Sequence, residues 1–387
     1  MLRPLLLLCL ASGSVVASDA PPLRADACSL EQLINERYAY PERLPNGRFE
    51  LSAKLRAECS SVGSKRELVR YAERALGLLA DHHAITGTSL PDSWATFPTY
   101  GDLWIVRTKD AFLIEAVRKG SPAEQAGMRA GDQLTAVDGT QTNIAVDQYW
   151  AELGTQAGGD RDGYAARVLA AGRRDRPRRL TVSRAGATRT VELQNLYQPW
   201  REERPLVSAI TLGADLHISL GDSLGDNAAI EEFDRAMADA KPRQRIVVDL
   251  TDTPSGGNTT VARAILGWFV SKPSGYQVHA LPAEERRTGV ARQWVEQVLP
   301  RQGKRHSGPV TVCVGRWTGS MGEGLAIGFD AIGATVEGTR MAGLLGAIYD
   351  YPLGNSGVVV KLPTEKLSGV SGTARERFLP RRSCATT

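Results

Sequence analysis

Two apolar strands, each followed by a loop and a helix, constrain the fold of this 387-residue chain more than any other feature. Arg245–Leu250 and Pro309–Val314 are nearly continuous apolar runs, without the alternation of a half-exposed strand. Such runs are typical of parallel strands that are buried on both faces of a sheet. Helical spacing follows each run, at Thr260–Val270 and at Met321–Phe329. The sequence therefore predicts an α/β layer architecture over residues 205–375.

A second pattern of turns and strands lies upstream of this region. Ser121 is a predicted cap for a short helix that starts with Pro122 at its first position. Asp138-Gly139 is typical of a tight turn between two strands. This order of turn, helix and strands resembles a bacterial PDZ domain, and we place that domain at residues 98–197.

The resemblance to PDZ domains also implies a peptide-binding loop. These domains take up a peptide as an added strand and hold its carboxylate with loop amides. The corresponding residues here are Tyr100, Gly101 and Leu103, with Asp102 where a glycine is expected. An acid at that place repels a carboxylate unless its side chain points away. The segment Gly158–Arg174 departs from the pattern too, because it is longer than the usual connection.

The N-terminal part of the chain contains a targeting pattern and a helical one. Arg3, the apolar run Leu5–Leu10 and the small residues up to Ala20 predict a signal peptide over residues 1–20. The run is too short to cross a membrane, so we expect a periplasmic or secreted protein without an integral membrane segment after cleavage. An uncleaved anchor is the alternative. Apolar residues at helical spacing predict a helical module over residues 27–92.

Export to an oxidising compartment makes the cysteines candidates for disulfides. Removal of the signal peptide leaves Cys28, Cys59, Cys313 and Cys384, which allow three pairings. We prefer the pair Cys28–Cys59, because both residues flank one short helical module. Cys313 lies in an apolar strand, so a buried thiol is its alternative. No Cys or His spacing indicates zinc, and we expect neither a metal nor another cofactor.

Composition and charge exclude few functions. A formal net charge of +4, with 42% hydrophobic and 23% charged residues, is ordinary for a globular protein. It gives no reason to expect nucleic acid as a partner. The length fits two or three domains and leaves the oligomeric state open.

The loops after the two buried strands contain the residues best suited to chemistry. The first carries Gly256-Gly257, which let the backbone turn sharply and present amides at a helix start. Such amides favour a developing negative charge. The second places Ser320 at a strand-to-helix junction, with Met321 next to it. A serine there is exposed enough to be a nucleophile, although an isolated serine before a helix is more often only its cap.

The PDZ segment, Asp-Leu-x-x-x-Pro-x-Gly-Gly and Thr-x-Ser-x-x-Glu together resemble the tail-specific, or C-terminal-processing, serine proteases. The resemblance implies a multi-domain α/β (α+β) protein with a peptidase core similar in architecture to ClpP and crotonase. It implies that Ser320 is the nucleophile and that Glu323 supports the site. The implied oxyanion hole comprises the amides of Gly256 or Gly257 and of Met321.

The base that would activate the serine departs from the commonest pattern of the family. Leu344, which cannot take a proton, stands where most members have a lysine. A tricorn-like branch uses an early histidine, and His83, with His82 beside it, matches that Leu-x-Asp-x-His-like turn. Histidine suits general-base work, since its ordinary pKa is about 6.5. The same branch implies that Glu365 orients His83. The alternatives are a capping or exposed histidine pair at a helix end and an ordinary surface acid.

The sequence thus predicts an exported serine endopeptidase that hydrolyses unfolded or C-terminally exposed polypeptides through a Ser320 acyl-enzyme. The alternative is a non-catalytic, PDZ-bearing peptide-binding or scaffold relative that has lost the catalytic lysine. The predicted parts are the signal peptide (1–20), the helical module (27–92), the PDZ domain (98–197), the peptidase core (203–376) and a C-terminal tail (377–387).

Overall fold

The computed structural model describes residues 20–197, 205–222 and 224–381. All of the predicted signal peptide except Ala20, together with Cys384, lies outside the described residues. Within these ranges no helix is both long and apolar enough to cross a membrane.

The N-terminal module is a small set of helices closed by one disulfide. Its elements are α1 (Ala20–Arg37), α2 (Ala53–Glu58), α3 (Lys65–Gly77) and the short strand β1 (Ile85–Thr86). Ser52 and Ser64 cap α2 and α3, because each hydroxyl accepts an N–H group of the first turn. Cys28 and Cys59, the preferred pair, are disulfide-bonded with their Cα atoms 5.1 Å apart.

The PDZ domain is a six-stranded antiparallel sheet with three helices. Its elements are β2 (Leu103–Arg107), β3 (Phe112–Val117), α4 (Pro122–Gln125), β4 (Gln133–Val137), β5 (Thr140–Gln141), α5 (Thr142–Glu152), α6 (Arg161–Ala171), β6 (Arg178–Arg184) and β7 (Ala187–Leu193). The strand order is β2-β3-β4-β6-β7, and β5 pairs with β4. Ser121 caps α4 as predicted. The long connection Gly158–Arg174 contains α6, which packs against the edge strand β2.

The peptidase core contains the remaining elements. They are β8 (Val207–Leu212), β9 (Asp215–Leu220), α7 (Ala228–Ala238), β10 (Ile246–Asp249), β11 (Asp252–Thr253), α8 (Thr259–Leu266), β12 (Ser274–Ala280), α9 (Pro282–Thr288), β13 (Gln293–Val298), β14 (Val310–Val314), β15 (Trp317–Thr318), α10 (Met321–Ala331), β16 (Thr335–Gly338), β17 (Ala347–Pro352) and β18 (Val359–Ser368). Cys313 in β14 is disulfide-bonded, so its alternative as a buried thiol is wrong.

Two sheets enclose helix α10. One has the order β16-β14-β10-β9-β8, with β8 as its antiparallel edge and the other strands parallel. The other is antiparallel, in the order β1-β18-β12-β13, with β17 also paired to β18. Helix α10 contacts strands of both sheets. The predicted buried strands β10 and β14 are neighbours, so the loops that follow them meet at one edge of the sheet.

The N-terminal module and the end of the core share one hydrophobic cluster. Helices α1 and α3 bury their apolar faces with residues from the segment around β17 and β18, namely Leu345, Leu353, Val360 and Leu362. Strand β1 extends the same sheet by pairing with β18. This shared cluster brings the turn after α3 next to the segment that follows β16.

The PDZ domain packs on the core through an aromatic cluster that reaches the loop before α10. Phe97, Trp104, Trp317 and Leu344 belong to this cluster. The indole Nε1–H of Trp317 donates to the Gly101 carbonyl at 2.8 Å. The loop between β14 and α10 is therefore held from the PDZ side as well as from the core.

Candidate active site

Ser320 begins helix α10 at the end of the loop that follows β14. Its backbone has φ 51° and ψ −115°, a conformation that residues other than glycine rarely adopt and that clusters at functional sites. The side chain is partly exposed, although the first turn of α10 is buried. The short pair β11–β15 sets Thr253 beside Thr318, and the Gly319 N–H donates to the Thr253 carbonyl at 3.0 Å. This pair joins the two predicted loops next to Ser320.

Gly256 lies directly against the serine. A Cβ atom at Gly256 would stand 2.7 Å from Ser320 Oγ and 2.5 Å from the Met321 nitrogen. Its φ of +64° also favours glycine. Gly257 is confined from the other side, since a Cβ there would lie 1.9 Å from the carbonyl carbon of Leu224. The structure therefore brings the predicted glycines, Ser320 and the first amide of α10 together.

Glu323 is fully buried in the first turn of α10 and ties the serine to a distant loop. Its carboxylate accepts the N–H groups of Ser320 at 2.9 Å, of Gly343 at 2.9 Å and of Leu344 at 3.2 Å. Burial raises the pKa of Glu323 to about 7, against the opposing effects of the Arg375 charge and of these hydrogen bonds. Glu323 thus holds the backbone on both sides of the site.

Leu344 packs its side chain beside the loop that carries the serine. The residue is 5% exposed, and its Cδ1 lies 3.2 Å from where a Cβ of Gly319 would stand. The two lysines further along the chain, Lys361 and Lys366, form ion pairs with other carboxylates. An aliphatic side chain therefore occupies the space beside the nucleophile where an amine base would be expected.

His83 lies on the other side of the segment that Glu323 holds. Its ring is buried, and Nδ1 donates to the Leu345 carbonyl at 2.7 Å. Because a carbonyl can only accept, the proton is on Nδ1 and Nε2 keeps a free lone pair. The backbone N–H of His83 donates to Asp81 at 2.9 Å, and the Tyr38 hydroxyl donates to the other oxygen of Asp81 at 2.9 Å. Asp81 thus fixes the backbone of the turn, and the Leu345 carbonyl fixes the tautomer of the ring.

The electrostatic setting of His83 favours the neutral ring. Burial, reinforced by the charge of Arg375, lowers the pKa of His83 to about 4. The ring is therefore unprotonated at neutral pH, as a general base must be. Within the described ranges no hydrogen bond joins His83 to Ser320. The two residues are connected instead through Glu323 and the segment Gly343–Gly346.

The prediction that Glu365 orients His83 is wrong in this structure. One oxygen of the Glu365 carboxylate accepts a hydrogen bond from His279 Nδ1 at 2.6 Å, and the other accepts the Tyr349 hydroxyl. Glu365 is on β18, and β18 pairs with β12, which carries His279. The Leu345 carbonyl takes the place beside His83 that was expected for this carboxylate.

Sequence reasoning missed the role of His279, which is the centre of a second buried cluster. Its Nε2 lies 3.1 Å from Glu296 and 3.0 Å from the amide nitrogen of Gln277, and its ring stacks on Trp294 at 4.9 Å. Burial alone would lower the pKa of His279, but the hydrogen bonds to Glu296 and Glu365 outweigh burial and raise it to about 9. No motif marks His279, because its partners come from two other strands.

The alternative of an exposed histidine pair does not hold for His82, whose side chain is not exposed. Its ring contacts the PDZ domain and not the serine loop. Its ring stacks on Tyr164 at 4.4 Å and lies 4.6 Å from Phe97. Arg167 Nε donates to His82 Nε2 at 2.9 Å. Burial, followed by the Arg167 charge, lowers the pKa of His82 well below its ordinary value. His82 is therefore a neutral ring that joins the turn to the PDZ domain.

The expected peptide-binding loop of the PDZ domain is folded into the protein. Asp102 is fully buried, forms a bidentate ion pair with Arg178 at 2.6 Å, and accepts the Ala123 N–H at 3.1 Å. Its side chain thus points away from the loop surface. Tyr100 stacks on Tyr197 with ring centroids 3.7 Å apart. The carbonyl of Gly101 and the side chain of Leu103 are likewise buried in contacts within the protein.

The edge of β2, where a peptide strand would add, is covered by α6. Arg167 donates to the Ile105 carbonyl at 2.8 Å. A Cβ atom on Gly163 would lie 3.5 Å from the Arg107 nitrogen, so the helix and the strand are in direct contact. The prediction that Tyr100, Gly101 and Leu103 bind a peptide is therefore wrong for this structure, because α6 occupies the edge where the peptide would pair.

The described residues include no group of three or more His, Cys, Asp or Glu that could hold a metal ion. The geometry around Ser320 is that of a nucleophile at a helix start, facing a glycine turn. Together, fold and site define a serine peptidase with a PDZ domain.

Comparison with known families agrees with this class. Residues 218–377 match the model of peptidase family S41, and residues 113–161 match that of a PDZ domain. Over residues 218–377 the chain is therefore similar to peptidase family S41.

Solved structures share the fold at low identity. The photosystem II D1 C-terminal processing protease is 16% identical, with a TM-score of 0.56 over 95% of this chain and 94% of its own. Mature CPAF, solved in complex with lactacystin, is 15% identical, with a TM-score of 0.56 over 94% of each chain. These likenesses concern the fold alone.

One curated relative matches over a short stretch. The zinc metalloprotease candidate NMA0084 of Neisseria meningitidis serogroup A is 32% identical over 110 residues. The match covers 28% of this chain and 21% of that protein, so the chain spans about a fifth of the length of the relative.

Proposed function

We propose that this protein is an exported serine endopeptidase that cleaves unfolded or C-terminally exposed polypeptides through an acyl-enzyme on Ser320. The observation that carries the proposal is the approach of Gly256 to Ser320 Oγ and to the Met321 nitrogen, which leaves no room for a side chain. A glycine turn at this distance from a serine at a helix start forms a site for a developing oxyanion. A serine that served only as a helix cap would not require such a neighbour.

The proposed reaction begins with attack of Ser320 Oγ on the carbonyl carbon of the scissile bond. The hydroxyl proton passes to His83 Nε2, and the oxyanion is held by the amides of Met321 and of Gly256 or Gly257. Collapse of the tetrahedral intermediate breaks the C–N bond, and His83 returns the proton to the leaving amine. Water, activated by the same ring, then hydrolyses the ester of Ser320.

His83 is proposed as the base because its tautomer and charge suit the task. Nδ1–H is engaged by a carbonyl, and Nε2 is the nitrogen left to accept a proton. A hydrogen bond between a base and its nucleophile is often loose in an unliganded enzyme and tightens with substrate. Accordingly, binding of a peptide would have to bring His83 Nε2 and Ser320 Oγ within hydrogen-bond reach.

Export is part of the proposal, and the cysteines support it. The disulfide Cys28–Cys59 and the disulfide-bonded Cys313 suit an oxidising compartment. The targeting pattern in residues 1–20 suits the same destination. Detection of the mature chain in the periplasmic or secreted fraction, with its N-terminus near Ala20, would test this part directly.

The test of catalysis is labelling by a fluorophosphonate probe together with cleavage of an unfolded protein. We expect labelling and cleavage by the wild type, no labelling of Ser320→Ala, and labelling of His83→Gln reduced by roughly 10²–10⁴-fold. His217→Gln, in β9, is the matched histidine control and should behave as the wild type. Absence of any Ser320-dependent labelling or cleavage in the wild type would overturn the proposal.

A second candidate function is a non-catalytic binding or scaffold protein with the same fold. Leu344 beside the nucleophile loop favours it, since an aliphatic side chain occupies the expected lysine position. The variant Leu344→Lys distinguishes the two. If the wild type is inert and this variant gains labelling that does not need His83, the natural chain has lost its base.

A further inference from the structure

One short segment, Gly343–Gly346, connects the serine side of the site to the histidine side. Its first two N–H groups, of Gly343 and Leu344, donate to Glu323, which also accepts the N–H of Ser320. The carbonyl of Leu345 accepts Nδ1–H of His83. The position of this segment therefore determines how the nucleophile and the proposed base lie relative to each other.

Arg375 also binds the segment Gly343–Gly346, through its guanidinium group. It lies in the short 3-10 helix after β18 and is 2% exposed. Its Nη2 donates to the Leu344 carbonyl at 2.9 Å and to the Gly346 carbonyl at 2.7 Å. The carbonyls of Leu344 and Gly346 thus accept from the guanidinium of Arg375, and the Leu345 carbonyl between them accepts from the ring of His83.

A buried guanidinium in this setting is costly to keep. The side chain of Arg375 is buried, and its Nε–H has no hydrogen-bond partner among the described residues. Glu323 is close enough for their charges to interact, but no hydrogen bond joins the two within the described ranges. An unpaired buried donor lowers stability. A contribution to folding stability alone therefore does not explain why an arginine is buried at position 375.

We propose that Arg375 is a positioning residue of the active site: it holds Gly343–Gly346 so that Leu345 keeps His83 in its Nδ1–H form while Glu323 keeps Ser320 in place. The inference rests on the proposed function for its catalytic meaning, and on the geometry alone for its effect on His83. Arg375 contacts no reacting atom and acts through the segment.

The charge of Arg375 favours the neutral ring of His83, and the hydrogen bonds of Arg375 hold the segment that orients this ring. After burial, it is the next cause of the lowered pKa of His83. The other groups around the turn are Asp81, Tyr38, Tyr40, Arg43 and Glu376, which interact with one another or with Asp81. The only group of His83 that donates to Asp81 is the backbone N–H, so the Asp81 carboxylate does not hold the ring.

The test follows the ring of His83 by ¹⁵N NMR of histidine-labelled full mature chain, with His83→Gln to assign the signal. We expect the wild type to show a neutral Nδ1–H ring that does not titrate between about pH 5.5 and 8. In Arg375→Gln, which removes the charge, we expect tautomer mixing and a titration midpoint above that of the wild type. Arg375→Lys keeps the charge, but its ammonium stands one bond short of the place of Nη2, which donates to both carbonyls, so we expect a ring that stays neutral with a loosened tautomer.

Labelling of Ser320 provides the second readout. We expect a rate roughly tenfold or more lower for Arg375→Gln, and a partial recovery for Arg375→Lys. Arg377→Gln, an exposed arginine two positions along, is the matched control and should change neither readout. If Arg375→Gln does not fold, Arg375→Lys decides, and a wild-type rate and ring tautomer in that variant overturn the inference.

The two proposals fail in different ways. A wild type that is never labelled, but whose His83 ring responds to Arg375→Gln, overturns the peptidase proposal and leaves the positioning role standing. A labelled wild type whose rate and His83 signal are unchanged in both Arg375 variants overturns the positioning role alone.

Discussion

Nδ1 of His83 donates to the backbone carbonyl of Leu345 at 2.7 Å. In a Ser-His-Asp triad a carboxylate has this place and stabilises the imidazolium that forms during catalysis. A neutral carbonyl fixes the same tautomer but contributes less to the charged state. The proposed base, His83, is therefore well oriented and weakly basic, and the pH dependence of Ser320 labelling should show this.

The rate of Ser320 labelling should stay nearly constant as the pH falls from about 8 to about 5.5. The reason is that burial and the Arg375 charge lower the pKa of His83 to about 4, so the ring loses its lone pair only in more acidic solution. The measurement is the labelling rate against pH with the fluorophosphonate probe. A decline centred near the ordinary histidine pKa would contradict the role given to burial.

Replacement of Gly256 by alanine should abolish labelling, because the new methyl group would stand 2.7 Å from Ser320 Oγ. Gly213 is the matched control, since its φ of +60° is similar but nothing lies within 4 Å of a Cβ there. Both substitutions strain the backbone by about 1–3 kcal/mol, because alanine would have to adopt a positive φ. We expect a lower melting temperature for Gly256→Ala than for Gly213→Ala, because the new methyl group would lie 2.5 Å from the backbone nitrogen of Met321. We expect loss of labelling only for Gly256→Ala, and full labelling of that variant would refute the oxyanion assignment.

The His279 cluster should make the protein less stable at alkaline pH. The pKa of His279 is raised from 6.5 to about 9 in the folded chain. The folded state therefore holds a proton that the unfolded chain releases, and its stabilising effect, full below about pH 6.5, is lost as the pH rises through about 9. The linked free energy is about 3 kcal/mol.

Thermal melts of the wild type and His279→Gln between about pH 6 and 10 measure this effect. The melting temperature of the wild type should fall with rising pH more steeply than that of the variant. Parallel curves for the two proteins would show that His279 does not gain a proton on folding.

Asp102→Ala should destabilise the PDZ domain by about 3–5 kcal/mol, because Arg178 would be left as an unpaired buried charge. The double variant Asp102→Leu with Arg178→Met removes both charges and should recover most of the loss. Calorimetric melting of the two variants provides the measurement. If the double variant is as unstable as Asp102→Ala, the loss comes from packing and not from the unpaired charge.

The parts of the site that the sequence predicts are those set by short stretches of chain. Ser320 and Met321 are adjacent, and Gly256 follows β10, the direct neighbour of β14. Once two parallel strands are recognised, the loops at their carboxyl ends must meet. The Asp81–His83 turn is local in the same sense, and its sequence alone suggests a constrained histidine.

The parts that the sequence does not predict depend on strand register and on helix packing. Glu365 reaches His279 because β18 pairs with β12, so that His279 lies opposite Leu367. A shift of one residue would turn Glu365 to the other face. Likewise, only the packing of α6 on β2 shows that Arg167 covers the PDZ edge. Arg375 lies outside the motifs altogether, and no local pattern indicates its position against Leu344.

The shared hydrophobic cluster of the N-terminal module and the β17–β18 region has a consequence for biosynthesis. The proposed base comes from the first folded module, the nucleophile from the middle of the core, and the arginine that positions them from the end of the described chain. A nascent chain that ends before Arg375 lacks the last of these parts. The site is therefore incomplete until synthesis has passed Arg375, so a shorter growing chain would be unable to cut itself or its neighbours.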